Sequence, residues 1–296
     1  MKIYRVVVNG GIRWNSTYLM IERAMLLKDA LHLYQDDHHS ETDAADYLTS
    51  EDWYQLADLL ELLRPIYDAS MRVQSRDTGL YEVLTSMDFI LTHLESAKLK
   101  PTYTAAPYFK ACVNLGWWKL DQYYTKTDLN PAYIMAVFLH PHYKMSWFKR
   151  HWCADEIKKA RCYIDSQYLI AKAASTTTQQ QPAMPVVSKD LNLYDAYNRL
   201  SSPTEDDEDD LQRYMSERIA PFATDPLQWW IDNGHLYPIL KPMALTYLAA
   251  PPSSADNERL FSRAGNVVNE ERPHTQATLA QGVQCLRSWH ENDLPI

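Results

Sequence analysis

The 296 residues suffice to bury a sizeable core in one large domain or two smaller ones, and a composition 46% hydrophobic and 23% charged is that of a globular protein. Seven glycines against 20 tyrosines and nine tryptophans exclude a glycine-rich, turn-dense sandwich and a phosphate-cradling glycine loop. A net charge of −9 excludes a compact basic DNA-binding module, so any nucleic-acid contact must be a local patch.

Cys112, Cys153, Cys162 and Cys285 are widely spaced, with no CxxC or CxxH pair, which argues against a zinc knuckle and a disulfide framework. The N-terminal apolar run is too short for a signal peptide, and no 18-residue apolar stretch occurs, so the expectation is a soluble intracellular chain with no membrane partner.

In chain order, residues 3–8 (IYRVVV) predict one short strand ended by Gly10-Gly11. The pattern then turns helical. Leu19, Ala24, Leu27, Leu31 and Tyr34 follow a 3.6 period through 17–34. A second helix starts at Ser50, whose hydroxyl is placed to cap the acidic turn Glu51-Asp52; it carries Leu56, Leu59, Leu60, Leu63, Ile66 and Tyr67 on one side, with a kink expected at Pro65. Residues 80–98 and 107–124 read as two further amphipathic helices, and 132–139 (AYIMAVFL) as a buried helix. Segment 144–174 is helical in composition. Its stretch 144–161 has six Lys or Arg against two acids, with Trp147, Phe148 and Trp152 interleaved. Residues 175–188 (STTTQQQPAMPVVS) and the acid run Glu205–Asp210 have the composition of a disordered linker, and helical pattern resumes near Leu211.

Several constellations have both a plain and a chemical reading. His38-His39 with Asp36 and Asp37 is a polar interhelical loop or a metal-ligand set, the loop being favoured. Trp117-Trp118 and Tyr123-Tyr124 are core residues at helical spacing, or platforms on which bases stack. The basic segment, with Lys144, Lys149 and Arg150, is the best candidate for phosphate contact, a solvated helix face being the alternative.

The most informative stretch is 251–269 (PPSSADNERLFSRAGNVVN). Pro251-Pro252 stop one helix and Ser253 or Ser254 caps the next, on which Leu260, Phe261, Ala264, Val267 and Val268 form an apolar stripe. Glu258, in the first turn, is either a dipole stabiliser worth roughly 0.3–1 kcal/mol or a metal-binding carboxylate. The last helix, 276–290, has Thr275 available as its cap and puts Leu279, Val283, Leu286 and Trp289 on one face.

The run 253–265 (SSADNERLFSRAG) resembles the SSA-x-x-ER-x-FS-x-AG signature of hAT superfamily transposases, which opens their C-terminal dimerisation region. The resemblance extends through Trp229-Trp230 and the helix 237–248, through 266–272 and the last helix, and to two distant motifs. Arg13-Trp14-Asn15-Ser16-Thr17 is similar to the family's RWNST motif, and 136–144 (AVFLHPHYK) to its A-x-x-LDP-x-x-K element, with His140 where Asp is usual.

The resemblance implies an RNase H-like core with two aspartates and one glutamate around divalent Mg or Mn, interrupted by a helical insertion. Glu258 matches the glutamate. Trp14 is similar to the tryptophan that stacks on an unstacked base, with Arg13 beside it near phosphate. Both aspartates are expected before the RWNST motif, and the residues preceding Arg13 include no Asp or Glu.

The expectations are therefore these. The chain is the C-terminal part of such a transposase, truncated at its N-terminus and mainly α, with at most one or two short N-terminal strands. It combines an insertion-type helical region at 1–174, a flexible acidic linker at 175–210, and the dimerisation region of an incomplete RNase H-like fold at 211–296. It is not an enzyme and holds no cofactor or complete metal site, Glu258 being vestigial; Mg or Mn belongs to intact relatives. It takes no small-molecule substrate and is nuclear. Its partner is itself or a related hAT protein through Leu260, Phe261, Leu279, Val283, Leu286 and Trp289. DNA is a further partner, through Arg13, Trp14, Lys144, Lys149 and Arg150. Alternatives are a DNA-binding transposase fragment, or a late-started reading of an active metal-dependent transposase.

Overall fold

The computed structural model describes residues 5–8, 14–38, 43, 46–100, 107–127, 130–178, 209–267 and 277–291. Among them all regular structure is helical. Residues 5–8 have no regular structure, so the described part of the expected strand does not form; residues 3–4 and Arg13 lie outside the described set.

The helices are α1 (Trp14–Leu26), α2 (Lys28–Asp37), α3 (Ser50–Val73), α4 (Tyr81–Lys98), α5 (Pro107–Thr127), α6 (Ala132–Leu139) and α7 (Lys144–His151). They continue with α8 (Ala154–Thr178), α9 (Asp210–Ser216), α10 (Pro226–Asn233) with a 3₁₀ turn Gly234–Leu236, α11 (Leu240–Leu248), α12 (Ala255–Val267) and α13 (Ala277–Glu291). No described helix is long and apolar enough to cross a membrane. Most of the linker expected at 175–210 (residues 179–208) lies outside the described residues.

The chain divides into two compact units, one of Met1–Ser75 with Ser86–Thr125, the other of Arg76–Thr85 with Lys126–Ile296. In the first, α1 packs on α3, with the Tyr18 ring stacked on Tyr67 at 4.4 Å between centroids. The single helix expected over 17–34 is two helices, broken at Leu27. At the start of α3 the cap is Thr49 rather than Ser50: the Asp52 N–H donates to its hydroxyl, and its own N–H donates to the Asp52 carboxylate at 2.8 Å, a reciprocal capping box. The helix runs on through Pro65. Leu62 of α3, Leu94 and Ala97 of α4, and Phe109 and Val113 of α5 form one core cluster. Trp117 packs against it, with the Lys98 ammonium 4.1 Å over its ring, whereas Trp118 and Tyr123 are exposed. The Trp117-Trp118 pair is thus split between inside and outside, as about 100° per residue dictates.

In the second unit α6 is the central rod. Its run Ile134–Leu139 is buried all round, as expected for a helix with no polar face. α11, α8 and α7 pack on it, and α10 packs on α11. The segment 76–85 belongs here: the Leu80 N–H donates to Ala250 O at 2.8 Å, and Gly79 lies so close to Leu248 O that a Cβ would collide with it. The helix expected over 237–248 begins at Leu240, after the 3₁₀ turn.

Candidate functional site

α12 follows from local chemistry. Pro251-Pro252 cannot extend α11; the Ser253 hydroxyl then accepts from Ala255 N–H, and Glu258 N–H donates to Ser254 O at 2.9 Å. The helix packs against α13. Ala264 and Val267 of the expected stripe, and Val268 beyond it, have no described side chains. The others face outward: Phe261 is 73% exposed, Leu279 60%, Leu286 48%, and Leu260, Val283 and Trp289 each more than a third. Six large apolar side chains on two adjacent helices hold surface in water that burial would reward at roughly 25 cal/mol per Å². Such a face is what an association surface offers before it meets its partner.

The region leading to this face is tied down by one buried cation. Lys144, expected at the surface as a phosphate contact, is only 3% exposed. Its ammonium donates to Tyr214 O at 2.9 Å, and to Glu217 O and the Glu217 carboxylate at 3.2 Å, and it lies 4.3 Å over the Tyr214 ring. The physical reason is the end of α9. Its last carbonyls have no helical partner, and a cation both satisfies them and meets the negative end of the helix dipole. Burial pushes the Lys144 pKa below its usual range, and the Glu217 carboxylate opposes that shift. Around it Tyr214, Trp230 and Tyr237 are fully buried. Trp230 Nε1–H donates to Leu139 O at 2.8 Å, the Tyr214 hydroxyl to the same oxygen at 3.0 Å, and the Tyr237 hydroxyl to Glu217 Oε2 at 3.0 Å. The C-terminal end of α6 is thereby fastened to α9 and α10. Tyr214, Glu217 and Tyr237 were not singled out from sequence; the only sign was the richness of this region in aromatics.

His140 is buried, its ring against Tyr143 and Tyr81 at 4.4 and 4.5 Å, and its Nδ1 accepts from His142 N–H at 3.2 Å. His142 Nδ1 donates to Ala220 O at 2.8 Å, a further tie between the two segments.

Glu258 is exposed in the first turn of α12, where it accepts from the Ser254 hydroxyl at 3.1 Å. Among the described residues no three His, Cys, Asp or Glu side chains gather as a metal ion requires. Asp36 and Asp37 lie in the last turn of α2 rather than in a loop, and His38 is its C-cap; Asp36 accepts from the Tyr47 hydroxyl at 3.0 Å and His38 Nδ1 contacts Tyr34 O at 3.0 Å, while His39 lies outside the described residues. Of the other residues expected at DNA, Lys149 and Arg150 are exposed in the last turn of α7, and Trp14 is 41% exposed with its ring edge-on to Tyr67.

Comparison with known proteins places these observations. Residues 210–290 match the hAT family C-terminal dimerisation region. The chain is 26% identical over 278 residues to the Talaromyces stipitatus protein named "Putative transcriptional regulator tpeD", covering 89% of this chain and 30% of that protein. It is 23% identical to the Arabidopsis thaliana "Zinc finger BED domain-containing protein DAYSLEEPER", over 94% of this chain and 40% of the relative. It is also 23% identical to the Zea mays "Putative AC transposase", over 94% of this chain and 36% of the relative. The chain thus spans between about a third and two fifths of the length of these relatives. Residues 210–290 are therefore similar to the hAT family C-terminal dimerisation region, and most of the chain is similar to proteins that include a named AC transposase.

Proposed function

We propose that the activity resident in these residues is self-association, or association with a related hAT protein, through the outward face of α12 and α13. The supporting observation is the exposure of Leu260, Phe261, Leu279, Val283, Leu286 and Trp289 inside the region that matches the family's dimerisation region. Covering even 400 Å² of such a face contributes about 10 kcal/mol before the cost of association. Light scattering coupled to size exclusion tests it: the full chain elutes as a dimer at micromolar concentration, and Leu286→Asp elutes as a monomer with its helical signal intact. A monodisperse wild-type monomer would refute the proposal.

Phosphodiester cleavage lies outside this proposed activity. Two-metal chemistry needs several carboxylates around ions about 3.5–4 Å apart, and among the described residues no three metal-ligating side chains gather, at Glu258 or elsewhere. Nicking of DNA by the purified chain with Mg or Mn, abolished by Glu258→Ala, would overturn this. A second reading, DNA contact in the nucleus, is supported by the exposure of Lys149, Arg150 and Trp14. Fluorescence anisotropy with duplex and hairpin DNA would reveal salt-sensitive binding that Lys149→Gln/Arg150→Gln weakens; no binding at low salt would eliminate it.

A further inference from the structure

α13 contains a glycine in mid-helix, Gly282, at a position where nothing among the described residues requires one. A Cβ built there meets nothing within 4 Å. The other described glycines differ: at Gly79 a Cβ runs into Leu248 O, at Gly234 it meets the Lys241 side chain, and at Gly116 it touches Leu94. A mid-helix glycine weakens a helix relative to alanine, because the unfolded chain gives up more freedom and no side chain covers the backbone. At Gly282 no packing within the described residues offsets that loss.

Its position points to what does. At about 100° per residue, Leu279, Val283 and Leu286 lie within about 60° of one another around α13. Gly282 sits at the edge of that stripe, and Trp289, seven residues on, has nearly the same azimuth about 10.5 Å further along. Along one line of an exposed apolar face there is therefore a notch and, two turns away, the bulkiest side chain of the helix.

We propose that Gly282 receives Trp289 of a second copy, the two α13 helices pairing antiparallel about a two-fold axis. In an isologous interface each contact occurs twice, so notch and ring fill one another in both directions. The bare backbone at Gly282 allows the close approach that a side chain would block. This rests on the self-association reading and specifies its geometry.

The test is a double-mutant cycle on the full chain, with dimer dissociation measured by sedimentation equilibrium. Gly282→Ala raises the thermal midpoint of the chain at low concentration by about 2 °C, because it improves the helix, and weakens dimerisation at least tenfold. Trp289→Ala weakens it at least tenfold, and the double variant is no weaker than the worse single one, since both remove the same contact. Gly282→Leu abolishes the dimer. A wild-type dimer that Gly282→Ala and Gly282→Leu leave unchanged, or strictly additive effects in the cycle, overturn the notch and leave self-association standing. A monomeric wild-type chain overturns both.

Discussion

Removing the Lys144 ammonium should loosen the join between α6 and α9. Lys144→Met keeps the aliphatic stem between the aromatic rings and deletes three hydrogen bonds, to Tyr214 O, Glu217 O and Glu217 Oε2. Truncating one partner of a fully buried ion pair costs about 3–5 kcal/mol. Here the Glu217 side chain is 36% exposed and retains the Tyr237 hydroxyl, so the stranded carboxylate is partly solvated. Tyr214 O, by contrast, is left without its charged donor in the interior, at about 1–3 kcal/mol. Relief from desolvating the ammonium acts the other way, as its depressed pKa indicates. The expected net loss is about 2–3 kcal/mol, read as a lower urea midpoint at unchanged slope. Lys144 also has φ of 46°, in the left-handed region that side chains avoid. Lys144→Gly should accordingly be more stable than Lys144→Ala by about 1 kcal/mol. A Lys144→Met chain as stable as wild type would show that packing of the aromatic rings alone holds the join, and equal stability of the Gly and Ala variants would remove the strain argument.

Three further outcomes are expected. Burial first, and then the carboxylate each faces (Asp209 at 2.6 Å and Glu217 at 3.0 Å), raise the Tyr168 and Tyr237 pKa values above the ordinary 10.0. A raised folded pKa contributes stability that is whole below the unfolded value, so the urea midpoint should begin to fall above about pH 10. It should fall less steeply in Tyr168→Phe/Tyr237→Phe, and equal slopes would refute the assignment. Trp230→Phe removes the donor to Leu139 O from a fully buried site and should destabilise by about 2–3 kcal/mol in chemical denaturation. Residues 210–296 expressed alone should lack the cooperative unfolding transition of the full chain, because Leu139, Lys144 and Leu80 are their hydrogen-bond partners; a cooperative melt of that fragment would show the region to be autonomous.

The helical class, the bounds of α4 and α13 to within a few residues, and the buried rod α6 were legible along the chain because they depend on local periodicity and on proline and serine positions. The outward apolar residues of α12 and α13 were legible for the same reason, since each helix wears its stripe in its own sequence. The fate of the basic segment was not. Lys144, Lys149 and Arg150 look alike in composition, yet one is buried and two are solvated.

The sequence by itself determined which segments are helices, which faces are apolar, and the family signature the motifs resemble, all of which follow from neighbours a few residues apart. The tertiary structure alone decided that Lys144 turns inward to a helix end about seventy residues away, that segment 76–85 joins the C-terminal unit, and that Gly282 faces open space. Those outcomes depend on which unsatisfied carbonyl or bare surface meets which side chain, and chain separation carries no information about that.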